Sequence, residues 1–213
     1  MSDLFSMSLR DVLRLSASSE PTPGGGSVSA ICAAFAASMA AMVSNLTIGK
    51  KRYKDVEEQV LDIRDRALCL LSRFEELVVA DMAQFERFME AYRMPKSTEE
   101  EQERRELLIQ EALKGATETP MEIARTCLGL LEMVCKLAPI GNKMAISDAG
   151  VAAYLAEAAL NAALLSVDIN VPLIKDSKYA EKVRQEREGL VKQASELKER
   201  AISIVSSRMA GVS

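Results

Sequence analysis

In the segment ELVVADMAQF an aspartate, Asp81, stands four residues after Leu77 and four before Phe85. On a helix this spacing puts the carboxylate on the same face as two large apolar side chains. A carboxylate there is paired, protonated or at work, because burying an isolated charge is costly and drives the group toward its neutral form. A second unusual stretch, EPTPGGGSVSA from Glu20 to Ala30, sets two prolines, three glycines and Ser27 before a long apolar run. Proline fixes φ, and glycine lets another group approach the main chain closely. Ser27 reads as a helix N-cap, beside the free N–H groups that make a weakly positive anion site. The alternative is a tight connection where two helices pack too closely for a Cβ. A third set begins at Gly141, Asn142 and Asp148 and continues with Ser147, Tyr154, Glu157, Asn161 and Asp168, whose spacings keep them in one broad stripe. That stripe is either a binding wall or an ordinary solvated face. Lys50, Lys51 and Arg52 close the apolar run, where cations also complement a helix dipole.

Composition narrows what these groups can do. The 213 residues suit one domain, expected to span 1–213, with enough length for a sizeable core. No histidine is present, which removes Ser–His–Asp and His–Cys catalysis and most zinc sites. Neither a metal nor a nucleic-acid partner is expected, the net charge being −4. Hydrophobic residues make up 48% but aromatics only 4%, with no tryptophan, so alanine, leucine and methionine must fill the interior. Cys32, Cys69, Cys127 and Cys135 all lie in apolar helical patterns without a CxxC pair, which points to reduced, buried thiols. Acidic Asp3, Asp11 and Glu20 precede the first apolar run, so no secretory leader is read and a cytoplasmic protein is expected. Ser27 to Gly49 carries no charge over a length near that of a membrane span. Its Ala, Ser and Met content favours a central helix buried on all sides over a span, so no membrane partner is expected.

The elements that must position these residues are all helical. A short amphipathic helix starts at Ser8, and the Ala-rich helix runs from about Ser27 to Leu46. A long helix covers about Lys54 to Tyr92, its stripe of Val60, Ile63, Ala67, Phe74 and Leu77 including Asp81. Pro95 ends it, and Ser97 or Thr98 caps a charged helix to about Thr117. Pro120 is expected to open a further helix to about Ala138. An apolar helix follows from Ser147–Asp148 to Asn170, and a charged one from about Tyr179 to Met209. The reading is an all-α bundle of about six to seven helices.

Six blocks in order, PTPGGGSVSA, AAMVSNLTIGKKRY, VVADMAQF, ATETPMEIA, GNKMAISDAGVAA and DINVPLIKD, resemble the cyclodeaminase domain of formimidoyltransferase-cyclodeaminases over almost the whole chain. The resemblance implies an all-helical homodimer that binds folate near its interface, with a tetrahydrofolate derivative as substrate and no cofactor. It implies closure of 5-formimidoyl-tetrahydrofolate to 5,10-methenyl-tetrahydrofolate with loss of ammonia. The related methenyltetrahydrofolate cyclohydrolase reaction is the alternative, and a non-enzymatic helical dimer scaffold is an alternative of another class. Carried onto this chain, the resemblance makes Asp81 the acid–base group, with Asp148 and Lys50 as further catalytic groups. Gly24, Gly25, Gly26, Ser27, Lys51, Gly141, Asn142, Ser147 and Asn170 become substrate-binding residues, Lys51 facing the anionic glutamate tail. Lys143, Met144 and Ser166 depart from the family pattern and bear on which reaction is run.

Overall fold

The structure is a computed structural model that describes residues 4–211. Among them are α1 (Leu9–Ser16), α2 (Gly25–Thr47), α3 (Glu57–Arg93), α4 (Glu99–Leu137), α5 (Ile146–Asn170) and α6 (Ser177–Met209). Short 3-10 turns join them, and no strand occurs among the described residues.

α2 is the central element, and its composition explains why. Ala30, Ala33, Ala36, Ala37 and Ala40 are wholly buried, so neighbouring backbones can approach it from several sides. α5 answers with Ala149, Gly150, Ala152, Ala153, Ala156 and Ala163. α2 packs on α3 and α5, α4 lies across α3 and α5, and α6 lies on α5 and α4. Specific contacts fix the directions. Ser27 meets Asp81, while Gly49 at the other end of α2 donates its N–H to Glu57 at the start of α3, so α2 and α3 are antiparallel. Asn142, just before α5, bonds to Thr47 at the end of α2, so that pair is antiparallel too. Arg125 to Glu186 and Cys135 to Leu197 align α4 and α6 in the same direction. By length and hydropathy α2 could cross a bilayer, but 61% of its apolar window is buried within this bundle. Larger side chains fill the spaces between helices, with Phe74, Met121, Leu130, Leu131 and Leu160 the bulkiest fully buried ones. Of the cysteines, Cys127 and Cys135 are buried, but Cys69 is exposed because it falls on the outer face of α3.

One expected boundary is absent. Pro120 does not open a new helix; α4 runs through it as one helix of 39 residues. A proline inside a helix cannot donate to the carbonyl four residues back. That carbonyl belongs to Ala116, and the Asn170 side-chain N–H₂ donates to it at 3.0 Å from the end of α5. The lost backbone bond is thus replaced across the bundle, so Pro120, itself buried, is tolerated without a break. The two ends of α4 are conventional: Thr98 and Glu101 form a reciprocal capping box, and the Arg208 guanidinium donates to the Ala138 and Gly141 carbonyls beyond the other end.

This arrangement predicts a coupled pair of effects. N170A should destabilise the fold by about 1–2 kcal/mol, the cost of an unsatisfied, partly buried carbonyl. In a P120A background, where the alanine N–H can bond Ala116 directly, the same change should cost markedly less. Urea denaturation of the double-mutant cycle measures the difference.

Candidate active site

The helix that carries Ser27 starts earlier than its sequence suggests. Gly24 is the N-cap, its carbonyl accepting the Val28 N–H at 3.0 Å, and Ser27 is therefore the third helical residue rather than the cap. No side chain of its own segment caps this helix end. Its free N–H groups meet a group from α3 instead. The Ser27 hydroxyl, wholly buried, donates to Asp81 Oδ2 at 2.7 Å, and the nearby Ser27 backbone N–H adds to the pull that favours the charged form. Asp81 is thus held by the positive end of α2.

Gly26 permits this approach. A Cβ built there would stand 2.7 Å from Asp81 Cγ and 2.8 Å from Oδ2, and closer still to Oδ1. The glycine run therefore serves, at Gly26, a helix-to-helix approach of a side chain onto main chain. Gly25 and Gly24 make no such demand: a Cβ at Gly25 meets nothing and one at Gly24 only an ordinary contact with Pro21. The electrostatics are opposed. Burial pushes the Asp81 carboxyl above its usual range, and the hydroxyl and N–H of Ser27 pull it part of the way back. The outcome is a half-buried carboxyl with a raised proton affinity, fixed in orientation and still partly open to solvent. Such a group can take a proton from one reacting atom and return it to another.

The other expected site residues fall elsewhere. Lys50, Lys51, Gly141, Asn142, Ser147 and Asp148 gather at the far end of α2, about 35 Å away by its 23 residues and a rise of 1.5 Å each. Asn142 is fully engaged there. Its N–H bonds Thr47 Oγ1 at 2.8 Å, its Nδ2 donates to Leu46 O at 2.6 Å, and its Oδ1 accepts from Met144 N–H at 3.0 Å. Gly141 is pressed against Val43 and the Leu137 carbonyl, so its small size is a packing need. Lys143, one of the residues departing from the family pattern, has its N–H bonded to the Tyr53 hydroxyl, while Met144 beside it is 92% exposed. Asp148 lies in the first turn of α5 and Ser147 beside it is exposed, whereas Lys50 and Lys51 project into solvent. Asn170 is at the Asp81 end of the bundle, but its amide nitrogen is committed to Ala116. Asp168, on the expected stripe, turns instead to Arg187 of α6 in a two-pronged ion pair. Sequence reasoning missed Gln84, whose carboxamide lies over Gly115; the signal was a glycine inside a helix facing a polar residue one turn beyond Asp81.

Three expectations follow from the geometry. G26A should force the Asp81 carboxylate off the end of α2 and cost about 1–3 kcal/mol by overpacking, readable by urea denaturation. S27A removes a bond that favours the charged form, so the Asp81 carboxyl should titrate higher still, as followed by carbon NMR. Because the folded value already lies above the unfolded one, the stability Asp81 contributes is fully present below the ordinary carboxylate range and lost as pH rises through the raised value. D81N should therefore lack this decline, and above that pH should resist urea better than the wild type.

Comparison with known proteins now has geometry to attach to. The formiminotransferase-cyclodeaminase family profile matches residues 8–189. A methenyltetrahydrofolate cyclohydrolase of Methylorubrum extorquens is 40% identical over 193 residues, covering 91% of this chain and 93% of that protein. Formimidoyltransferase-cyclodeaminase of Mus musculus is 32% identical over 90% of this chain, which spans only 35% of the mouse protein's length. The crystal structure of formiminotetrahydrofolate cyclodeaminase from Thermotoga maritima superposes with a TM-score of 0.86 at 32% identity, covering 95% of this chain and 98% of that one. The chain belongs to the formiminotransferase-cyclodeaminase family.

Proposed function

We propose that this protein is a folate one-carbon enzyme acting at the methenyl carbon, with Asp81 as its acid–base group. The observation that carries this reading is the Asp81 carboxyl, raised in proton affinity and held on the N-terminus of α2, in a chain without histidine. Hydrolysis of 5,10-methenyltetrahydrofolate to the 10-formyl compound is the reading best supported, by similarity along nearly the full length of a cyclohydrolase. This reverses the order in which the sequence alone ranks the two activities. Closure of 5-formimidoyl-tetrahydrofolate with loss of ammonia is the second reading, favoured by the likeness to the Thermotoga cyclodeaminase.

In the hydrolytic direction water attacks the cationic methenyl carbon, and the Asp81 carboxylate takes the water proton. The protonated Asp81 then delivers that proton to N5 as the bond from N5 to the carbon breaks. The remaining hydroxyl proton passes to solvent, leaving the formyl group on N10. In the deaminating direction N10 attacks the formimidoyl carbon; the N10 proton and the proton held by Asp81 both pass to the departing nitrogen, which leaves as ammonia as its bond to carbon breaks and the methenyl cation forms. Both routes need a carboxyl with a strengthened hold on its proton, and burial pushes Asp81 in that direction.

The reading includes a homodimer. Val151, Tyr154, Leu165 and Ile169 are exposed along one stripe of α5, uncharged side chains with helical spacing. Two copies joined there about a two-fold axis across the helices would bring the end bearing Lys50, Lys51, Ser147 and Asp148 in one copy to the Asp81 end of the other. That juxtaposition would reunite the residues that one chain holds about 35 Å apart.

Three outcomes test this reading. The absorbance of 5,10-methenyltetrahydrofolate should fall faster with enzyme than without; its appearance from 5-formimidoyl-tetrahydrofolate with ammonia would select the second reading, and neither would end the folate reading. D81N should lose about 10²- to 10⁴-fold in turnover with its helical content intact, and near-normal turnover would remove Asp81 from the mechanism. L165E/I169E should elute as a monomer by light scattering and lose activity with it.

A further inference from the structure

One turn beyond Asp81 along α3, a cavity of about 550 Å³ opens between α3 and α4. Gln84, Arg87 and Arg104 line it, with Glu90 and Glu111 among its other polar walls and Met94 and Leu108 among its apolar ones. Gln84 is three residues on from Asp81, about 60° around the helix, and Arg87 is about 9 Å further along its axis. Among the described residues, neither arginine has a carboxylate partner and the Gln84 carboxamide has no hydrogen bond. Several other arginines of this chain are engaged: Arg73, Arg93, Arg125 and Arg187 in ion pairs, Arg105 with the Tyr92 carbonyl. Gly115 makes room for the Gln84 amide, since a Cβ there would meet its Oε1 at 2.5 Å.

The lining selects among ligand chemistries. An apolar guest would leave two guanidinium groups unmatched, and a bare polyanion would face Glu90 and Glu111. A chain that alternates carboxylates with amide groups satisfies all of them: carboxylates on Arg87 and Arg104, amide N–H groups on the two glutamates, an amide carbonyl on the Gln84 N–H₂. We propose that this cavity receives the γ-glutamyl tail of the folate whose one-carbon unit reacts at Asp81. The inference rests on the folate reading above, and it moves the tail from Lys51, at the far end of α2 in the same chain, to α3 and α4.

Steady-state kinetics with three forms of the methenyl substrate test it: the pteroyl form without glutamate, the monoglutamate and a γ-linked triglutamate. R87A and R104A should each raise KM for the triglutamate about tenfold while leaving the pteroyl form unchanged. Free γ-triglutamate, titrated by calorimetry, should bind the wild type and not R87A/R104A. Equal loss on all three substrates, or no loss on any, overturns the assignment. So does tail-selective loss in K50A/K51A with both arginine variants behaving as wild type, which would put the tail at the basic end of a partner. A wild type that binds triglutamate but turns over no folate would instead overturn the folate reading and leave the cavity assigned to glutamyl chains.

Discussion

Everything in this bundle depends on how thin α2 is. Its buried surface is almost entirely alanine, serine and glycine, so α3 and α5 can lie against it with their backbones close. Small residues bury little apolar area each, and the stability of such a packing comes from many short contacts. The same thinness continues to the helix end, where Gly26 is the last and smallest step. With no side chain there, α3 can bring Asp81 directly onto the free N–H groups of α2. The candidate site is therefore the terminus of the packing seam, and its carboxylate serves as the cap that the α2 segment itself lacks.

The polar groups divide into those the fold consumes and those it leaves available. Asn142 and Arg208 close the end where α4, α2 and the start of α5 meet, and the bidentate Arg125–Glu186 pair ties α4 to α6. Lys114 with Asp176, and Gln110 with the Leu173 carbonyl and Lys175 N–H, pin the connection between α5 and α6 to α4. Asp81 is different in kind. Its partner Ser27 steadies the charged form but does not neutralise it, and no cation answers the carboxylate among the described residues.

How much of this was legible in the sequence follows from which signals are local. α2, α3, α5 and α6 and the two ends of α4 could be placed within a few residues because periodicity and caps are local, and Asp81 stood out because a carboxylate on an apolar stripe conflicts with its neighbours. The Gly26–Ser27–Asp81 constellation was half legible: each member was noticed, but the register that brings residue 27 to residue 81 is a tertiary fact. Asn142 and Asn170 were read as ligand-binding amides, and the structure gives each a backbone carbonyl to bond. An amide that mends a backbone and an amide that binds a ligand have the same chemistry, and only the location of the orphaned carbonyl tells them apart. Pro120 misled for the matching reason, since a proline breaks a helix unless something outside the helix supplies the missing donor. The separation of the lysine end from the aspartate end was not legible at all, because residues 50 and 81 look close along the chain while α2 and α3 carry them apart.

The repair of α4 also has a history written into it. A proline in mid-helix and an asparagine fifty residues later form an arrangement that neither could have justified alone. An ancestor acquiring the proline first would have carried a broken backbone bond, whereas one already holding the asparagine could accept the proline at little cost. Descendants can shed the proline freely but the asparagine only afterwards. The order of substitution at these two positions is therefore directional, and a lineage that keeps Pro120 has closed one evolutionary route at Asn170, including any route by which that amide might have been recruited to a ligand.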